Sequence, residues 1–370
     1  MSELQAAGLR WLDPEGSGLS RRGGAGPSDH KAIRLLGQVV MVPILNHAAT
    51  SSPFSALPAG PGRATLYRGE QALGPLEFPK KPHFYDLSTT DGVPYWKIAT
   101  LHADDVLATT VLQNCIRYAD QRTSCQFCAI GKSLAARSTI PRKTPEQLAE
   151  VAAAAVRLDA VRHMVMTTGT PPGDDRGARI LSESARAIRA RVDLPLQAQC
   201  EPPEDFAWFG ELRASGVDTL GMHLEAVTEP VRARIMPGKA EVPLARYYEA
   251  FEAAVGVFGW GQVTTYILAG LGDSAADVIE CCRRLVGLGV YPFVVPFVPI
   301  AGTPLEHHAT PEPTFLRRLL DDVAEVIAAA GLSSQSMKAG CGRCGACSSL
   351  KSREGRAVRA AAPLAELVHA

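Results

Sequence analysis

Residues 106–131 read VLATTVLQNCIRYADQRTSCQFCAIG. The stretch opens with an apolar run over residues 106–112, which is typical of a strand buried on both faces of a parallel sheet. Cys115, Cys125 and Cys128 follow it, so they occupy the loop at the carboxyl end of that strand. Parallel β/α barrels carry their chemistry at this end. The stretch therefore predicts a barrel strand followed by a metal-binding or catalytic loop.

Apolar strands and amphipathic helices alternate through the rest of the chain, which indicates an α/β fold with a parallel sheet. The predicted strands are residues 106–112, 161–167, 194–199, 219–224, 263–268 and 293–298. The predicted helices are residues 144–158, 177–192, 206–215, 242–258, 275–288 and 312–330. These repeats predict a parallel β/α barrel, either partial with six strands or near-complete.

Composition divides the chain into four parts. Residues 1–30 are expected to form a flexible N-terminal segment, because 14–30 are rich in glycine, serine and proline. Residues 31–104 contain β-like runs at 38–45, 63–67 and 94–101, and predict a small mixed or β-rich N-terminal domain. The barrel is expected over 105–330, and a C-terminal extension with a second cysteine motif over 331–370.

Overall composition predicts a cytoplasmic protein. The net charge is +0 and 46% of residues are hydrophobic, which gives no reason to expect nucleic acid as a partner. No run of 18 apolar residues and no secretory signal occur in the sequence, so we expect no membrane partner. Nine cysteines in the cytoplasm are better explained as metal ligands or catalytic groups than as disulfides.

The first cysteine triad, Cys115, Cys125 and Cys128, suits a 4Fe-4S cluster in which one iron lacks a protein ligand. A closed structural zinc site needs four ligands, so the zinc alternative requires a fourth one from Cys200 or a histidine. Residues 125–128 read Cys-Gln-Phe-Cys and resemble the cysteine–aromatic–cysteine signature of the radical S-adenosylmethionine (SAM) superfamily. Nine residues separate the first two cysteines, where three is usual in that superfamily.

The resemblance spans about residues 105–310 and implies that SAM binds the open iron, with Phe127 near its adenine. It also implies that the loop of Thr168 and Gly169 approaches the methionine amino group. Glu201 would accept hydrogen bonds from the ribose hydroxyls. Alternatively, Glu201 is an exposed loop glutamate and Gly169 belongs to an ordinary turn.

Two later segments extend the resemblance. Residues 221–225 read GMHLE and are followed by an arginine, which implies that Glu225 and Arg234 contact SAM. Arg232 competes with Arg234, and a surface salt bridge is the alternative for both. Residues 269–273 read AGLGD, which implies that Gly270 and Gly272 turn past the adenine. The segment PIAGTPLE at 299–306 resembles the biotin-synthase-like branch.

The second cysteine triad is Cys341, Cys344 and Cys347, in the segment CGRCGAC. Ferredoxin-type loops bind 4Fe-4S clusters with this spacing, so the triad predicts an auxiliary cluster. A zinc site and a redox thiol cluster are the alternatives. The fourth ligand is left open between substrate, solvent and another residue.

The resemblance implies an enzyme that cleaves SAM reductively and generates a 5'-deoxyadenosyl radical, which abstracts hydrogen from a small substrate. An electron donor such as ferredoxin or flavodoxin is then required.

The domain arrangement and the cysteine-rich tail resemble the radical SAM proteins of nitrilase-containing gene clusters. This resemblance implies a nitrogenous substrate from nitrile or cyanide metabolism and a partner protein from the same pathway. A sulfur-inserting enzyme of the biotin or lipoyl synthase type is one alternative, and a zinc- or Fe-S-stabilised binding protein is the other.

Overall fold

The computed structural model describes residues 1–12 and 29–361, except the side chains of 358–361. Within these residues the chain forms two sheets. The strands of the first are β1 (Arg10–Trp11), β2 (His30–Leu35), β3 (Gln38–Pro43), β4 (Phe54–Pro58), β5 (Arg63–Arg68) and β6 (Gln71–Glu77). Their order is β1-β4-β5-β6-β2-β3, and all neighbours are antiparallel except β1 and β4. This mixed sheet confirms the β-like runs at 38–45 and 63–67.

The second sheet is the curled half-barrel. Its strands are β7 (Thr100–His102), β8 (Val106–Thr110), β9 (His163–Thr167), β10 (Leu196–Gln199), β11 (Thr219–Gly221), β12 (Val263–Ala269) and β13 (Val290–Pro296). They lie side by side in chain order; β8 to β13 are parallel, and β7 is antiparallel to β8. The predicted partial barrel of six parallel strands is therefore confirmed, with one added antiparallel strand.

Helices cover the outer face of this sheet and connect its strands. The longer ones are α5 (Pro145–Asp159), α6 (Ala178–Arg189), α7 (Ala207–Ala214), α10 (Leu244–Phe258), α11 (Ala275–Gly287), α12 (Pro313–Ala329) and α14 (Leu350–Ala361). The shorter helices, which are spread over the whole described chain, are α1 (Ser2–Ala7), α2 (His47–Thr50), α3 (Tyr95–Ile98), α4 (Ile130–Ala135), α8 (Glu229–Ile235), α9 (Pro237–Ala240) and α13 (Cys341–Cys344). Two 3-10 turns, His83–Asp86 and Ser334–Ser336, complete the described elements.

Local sequence explains where the main elements start. The Thr144 hydroxyl accepts a hydrogen bond from the Gln147 backbone N–H, the Gln147 side chain accepts one from the Thr144 backbone N–H, and Pro145 is the first helical residue of α5. Ser274 and Asp277 form the same capping box on α11. Strands β8 and β13 are buried along their whole length, because helices cover one face and the barrel interior the other.

Two local predictions were wrong. Residues 2–7 belong to helix α1, whose Leu4 and Ala6 are buried, so this end of the predicted flexible segment is packed. Residues 13–28 of that segment lie outside the described residues. The run 94–101 was predicted as a strand but contains helix α3, because Tyr95 and Ile98 are buried with the i, i+3 spacing of one helical face.

The C-terminal extension crosses the amino ends of the parallel strands. The Thr219 hydroxyl, at the start of β11, donates to the carbonyl of Ala339. The Gly340 N–H donates to Nδ1 of His163, at the start of β9. These bonds direct residues 341–347 into the interior of the half-barrel. Among the described helices, none combines the length and the apolar character needed to cross a membrane.

Candidate active site

The first cysteine triad lies in the long loop between β8 and α4, at the carboxyl ends of the strands. Cys115, Cys125 and Cys128 are free and partly buried. The Cys128 N–H donates to the Cys125 carbonyl over 3.0 Å, which closes a tight turn between these two cysteines. Cys128 is within electrostatic range of both Cys115 and Cys125. The fold thus brings the three residues together in one loop.

Two glycines allow this loop to pack closely against the barrel. A Cβ atom on Gly169 would lie 2.1 Å from the carbonyl oxygen of Asn114, and one on Gly238 would lie 2.5 Å from that of Thr123. Side-chain atoms do not approach backbone this closely in folded proteins, so the loop requires glycine at both positions. The structure thus gives Gly169 a packing role, which the sequence did not reveal. The Thr168 hydroxyl, beside it, donates to the carbonyl of Gly169 over 2.8 Å.

Burial affects the protonation of Cys125 and Cys128. It raises the pKa of Cys128 to about 11 and that of Cys125 further still. Both thiols are therefore protonated at neutral pH when they are free, and binding of a metal or cluster displaces their protons.

Neither triad is pre-formed as a site for a single ion. Across residues 1–12 and 29–361, no group of three histidine, cysteine, aspartate or glutamate side chains converges closely enough to hold one metal ion. A cluster with several irons requires its ligands on separate corners.

Glu201 lies beside the triad in a buried ion pair with Arg117, which belongs to the cysteine loop. The Thr170 hydroxyl donates to the same carboxylate oxygen, Oε1, over 2.8 Å. The other oxygen, Oε2, is buried and accepts no hydrogen bond from any described residue. Burial acts to lower the pKa of Arg117, but the Glu201 charge outweighs it and raises that pKa. Glu201 is thus a fixed carboxylate with one free acceptor, not an exposed loop glutamate.

Glu225 is held in an unusual backbone conformation at the same rim. Its φ of 62° lies in the left-handed region, and it forms an isolated parallel bridge with Ile267 of β12. Such a conformation in a non-glycine residue persists only where the surroundings impose it. Its carboxylate pairs with buried Lys239 and lines the central cavity. Burial acts to lower the pKa of Lys239, but Glu225 and other anionic neighbours raise it.

The structure separates the two competing arginines of α8. Arg232 is fully buried and donates to the backbone carbonyls of Leu224, Lys239 and Val242, so it is structural. Arg234 is exposed, and its Nη2 donates to the carbonyl of Leu271 over 2.9 Å. It is therefore the arginine with room for a ligand.

Arg234 meets the glycines that follow β12. A Cβ atom on Gly272 would lie 2.3 Å from Nη2 of Arg234. Gly270 and Gly272 have φ values of 109° and 125°, which favour glycine, and Gly270 also packs against Pro311. Gln126 of the cysteine loop donates its side chain to the Arg234 carbonyl over 2.7 Å. These contacts join Arg234, both glycines and the first triad at one rim.

A cavity of about 370 Å³ extends from this rim into the half-barrel. Its wall is built from alternate residues of successive strands, which face the same side of a sheet. These residues are Val106 and Ala108, Val165 and Thr167, Tyr266 and Leu268, and Phe293 and Val295. Phe127 lines the upper end and packs in an apolar cluster with Phe297. The cavity is mostly apolar, as a site that protects reactive species from water requires.

His223 is one of the ionisable residues that line the cavity. Its Nδ1 accepts a hydrogen bond from the Tyr266 backbone N–H over 3.2 Å, so in the neutral ring Nε2 carries the proton. Burial lowers the pKa of His223 to about 3. It is therefore a neutral hydrogen-bond donor on the cavity wall.

The second cysteine triad lines the same cavity from below. Gln199 donates to the sulfur of Cys341 over 3.2 Å, and His102 lies 3.5 Å from the sulfur of Cys347. Burial raises the pKa of Cys341 and Cys344 to about 12. The two triads thus face one cavity from opposite ends. Cys200, Cys281 and Cys282 are buried and lie outside both triads.

Sequence reasoning missed several polar residues around the two triads. They are Arg117, Thr170, Lys239, His102 and Tyr266. Arg117 carried a usable signal, since it lies inside the cysteine loop. The other residues reach the site through tertiary contacts, so the spacing of residues along the chain does not reveal them.

Comparison with known proteins finds a family that the central region resembles. The model described as the radical SAM superfamily matches residues 121–285. The bacteriochlorophyllide c C-7(1)-hydroxylase of Chlorobaculum limnaeum is 31% identical over 225 residues, which cover 55% of this chain and 55% of the relative. The chain thus spans about half the length of this curated relative.

Solved structures with similar folds include methylornithine synthase, with a TM-score of 0.49 and 18% identity over 68% of this chain and 69% of that one. The FeFe-hydrogenase maturase HydG from Carboxydothermus hydrogenoformans has a TM-score of 0.44 and 17% identity, over 61% and 50% of the two chains. Residues 121–285 are thus similar to the radical SAM superfamily, a family of enzymes whose cofactors are a 4Fe-4S cluster and SAM.

Proposed function

We propose that the chain cleaves SAM at a 4Fe-4S cluster held by Cys115, Cys125 and Cys128, to start a radical reaction on a small substrate. The observation that carries the proposal is the convergence at one rim of this triad and the unsatisfied carboxylate of Glu201. The reduced cluster and SAM together supply a 5'-deoxyadenosyl radical, which abstracts hydrogen from the substrate. A ferredoxin or flavodoxin is the electron donor that we propose.

The donor set fits the cluster. Three thiols in one loop match a cluster that leaves one iron for SAM, and the absence of a convergent single-ion site among the described residues favours it over zinc. Leaving a buried carboxylate oxygen without a donor costs about 1–3 kcal/mol. The hydroxyl pair of the SAM ribose would satisfy Oε2 of Glu201, which is the contact that the sequence resemblance implies.

The remaining predicted contacts fall into two roles. Glu225 and Arg234 would orient the amino acid end of SAM, with Lys239 fixing the Glu225 carboxylate. Phe127, Gly270 and Gly272 would form the apolar and backbone surface for the adenine, while Thr168 and Gly169 would border the methionine. The mostly apolar cavity below excludes water, and the Nε2–H of His223 is available to a substrate acceptor atom.

A cavity of about 370 Å³ fits a small substrate. We keep the biotin-synthase-like branch, and a nitrogenous substrate from nitrile or cyanide metabolism, as predictions that rest on the sequence resemblance. A neutral donor such as His223 suits a nitrogen or oxygen acceptor on such a substrate.

Sulfur insertion is a second candidate function. Cys341, Cys344 and Cys347 line the same cavity as Phe127 and Glu225, so a cluster there would face the substrate directly. Loss of one sulfide from that cluster per turnover would support this candidate over hydrogen abstraction alone.

The test of the proposed function is anaerobic SAM cleavage with dithionite as reductant. Wild type should form 5'-deoxyadenosine, and Cys125→Ala should lower the rate by more than about 100-fold, because even loss of a second-shell ligand partner costs roughly 10–100-fold. The matched control is Cys282→Ala, which removes a buried thiol from helix α11 and should keep the wild-type rate. Equal rates in Cys125→Ala and Cys282→Ala would refute the assignment.

A further inference from the structure

The loop that carries the second triad is held in place from two sides. From the N-terminal part of the chain, the Met41 N–H and the Gln5 side chain both donate to the carbonyl of Ala346, over 2.9 and 3.0 Å. From the barrel, Gln197 accepts from the Cys341 N–H over 3.1 Å. The loop is therefore a built part of the cavity floor and not a trailing segment.

Glycines allow the loop to wrap tightly. Gly345 has a φ of 72° and donates its N–H to the Cys341 carbonyl over 2.8 Å. A Cβ atom on Gly340 would lie 2.1 Å from Nε2 of Gln197, and one on Gly342 would lie 2.6 Å from the sulfur of Met337. Gly340 also has a φ of 107°, which favours glycine, whereas a side chain at Gly342 would require the Met337 side chain to shift.

Hydrogen-bond donors point at the sulfurs. Nε2 of Gln199 donates to Cys341, and the Tyr266 hydroxyl hydrogen-bonds to both Cys341 and Cys347. Donors around sulfur stabilise thiolates and tune the clusters that they hold. The environment is therefore suited to thiolate ligands.

A fourth ligand atom stands beside the triad. Nε2 of His102 lies 3.5 Å from the sulfur of Cys347, and the residue is 8% exposed and lines the same cavity. His102 is the last residue of β7, where pairing with Val106 of β8 fixes its backbone. Imidazole is an established iron ligand beside cysteine in iron–sulfur proteins.

We propose that His102 is the fourth protein ligand of an iron–sulfur cluster held by Cys341, Cys344 and Cys347. The inference deepens the proposed function, and rests on it for the enzyme's radical chemistry. A cluster with four protein ligands has no open iron, so this second cluster does not bind SAM or substrate through iron. Its place in the cavity wall instead suits electron exchange with the substrate or sulfide donation to it.

Three thiolates and one imidazole also form a common structural zinc site. What favours a cluster is the spacing of the three cysteines along the chain. The C-x-x-C-x-x-C spacing is that of ferredoxin loops. Zinc is therefore an outcome of the test that would overturn the proposal.

The test uses full-length protein with the C115A/C125A/C128A background, so that only the second triad can load iron. After anaerobic reconstitution and reduction, we expect about four irons per chain. Pulsed electron–nuclear spectroscopy should show strong ¹⁴N coupling from directly bound imidazole. His102→Ala should abolish this coupling, whereas the control His163→Asn, which changes a buried histidine that contacts only the loop backbone at Gly340, should retain it.

If the His102→Ala variant does not bind iron, the His102→Cys variant provides the second test. This variant should bind iron, show no ¹⁴N coupling and have a lower reduction potential, since histidine ligation raises the potential. Coupling that survives His102→Ala or His102→Cys, or bound zinc in place of iron, would overturn the inference. These readouts do not involve SAM, so wild-type 5'-deoxyadenosine formation separates failure of this inference from failure of the proposed function.

Discussion

The two cysteine triads face one cavity but differ in what surrounds their thiols. The first lies in a long loop at the carboxyl ends of the strands, among the charged side chains of Arg117, Glu201, Glu225 and Lys239. The second lies in a short turn against the middle of the sheet. Its thiols contact the polar side chains of Gln199, Tyr266 and His102, while the charges of Lys351 and Asp105 act on Cys344 from further away.

The difference indicates different ligands. SAM carries an amino group, a carboxylate and a sulfonium, so it requires charged partners and an open iron. The first triad has two buried ion pairs beside it, Arg117 with Glu201 and Lys239 with Glu225, whose charges can meet these groups. The second triad is suited to a cluster whose irons all have protein ligands and whose reduction potential is set by nearby hydrogen-bond donors. Cysteine spacing alone therefore does not distinguish a SAM-binding triad from an auxiliary one, whereas the charges of the neighbouring residues do.

The largest effect should come from a substitution that displaces the loop of the first triad and leaves its three thiols in the chain. Gly169→Ala places a methyl group 2.1 Å from the Asn114 carbonyl oxygen, and should lower the free energy of unfolding by about 1–3 kcal/mol and abolish iron loading at the first triad alone. Gly256→Ala is the control; it adds a methyl group in open space on α10 and should gain about 0.5–1 kcal/mol. Denaturant unfolding and iron analysis test both, and wild-type loading in Gly169→Ala would contradict the packing role.

The next largest effect should come from Glu201→Gln, which keeps an acceptor for Arg117 and removes the charge. A charge-assisted hydrogen bond contributes about 1.5–3 kcal/mol, so the Kd for SAM should rise roughly 10- to 100-fold. The matched control is Glu204→Gln, which alters an exposed ion pair with Arg176 and should change Kd little. Calorimetric titration with SAM measures Kd; an unchanged value in Glu201→Gln would remove this residue from the ligand site.

A smaller effect should appear at the second triad. Tyr266→Phe removes the hydroxyl donor to Cys341 and Cys347, so the reduction potential of the second cluster should fall while its iron content stays constant. Tyr67→Phe, in strand β5 of the N-terminal sheet, is the control and should not shift it. A redox titration in the C115A/C125A/C128A background provides the measurement. A potential equal to that of Tyr67→Phe would show that the hydroxyl does not tune the cluster.

The smallest effect concerns Lys143, which supports the first loop from behind. Its Nζ donates to the Ile140 carbonyl over 3.1 Å and lies 3.4 Å from the Gln113 side chain, which donates in turn to the Ile130 carbonyl. Burial lowers the pKa of Lys143 to about 7, below its unfolded value. The unfolded chain therefore binds more protons between pH 7 and 10.5, so this residue destabilises the fold fully below pH 7 and progressively less above it.

Lys143→Met should accordingly stabilise the protein most below pH 7, with a gain that shrinks as the pH rises toward 10.5. Thermal unfolding of both proteins across this range tests the sign. A gain that grows with pH would contradict the assignment of a depressed pKa.

Much of the fold follows from the sequence because its signals are local. The six parallel strands and the capping residue Thr144 appear as apolar runs and capping motifs in the chain itself. Both cysteine triads were visible for the same reason. The choice between Arg232 and Arg234 was not, since one helix carries both and only the tertiary packing of Leu224 and Val242 buries the first.

The rest of the site depends on contacts between residues far apart in the chain. His102 and Cys347 are separated by 245 positions and meet because β7 and the C-terminal extension border the same cavity. Helix α1 was missed because its apolar residues are few, and its stability comes from packing against the barrel and the N-terminal sheet. Local pattern carries no information about such partners.

The central claim is that the two triads hold separate clusters and only the first cleaves SAM. The most direct test is anaerobic reconstitution of wild type, C115A/C125A/C128A and C341A/C344A/C347A, with iron and 5'-deoxyadenosine measured in each. We expect about eight, four and four irons per chain, with SAM cleavage in wild type and in C341A/C344A/C347A only. Cleavage by C115A/C125A/C128A, or its loss in C341A/C344A/C347A while four irons remain bound, would contradict the claim.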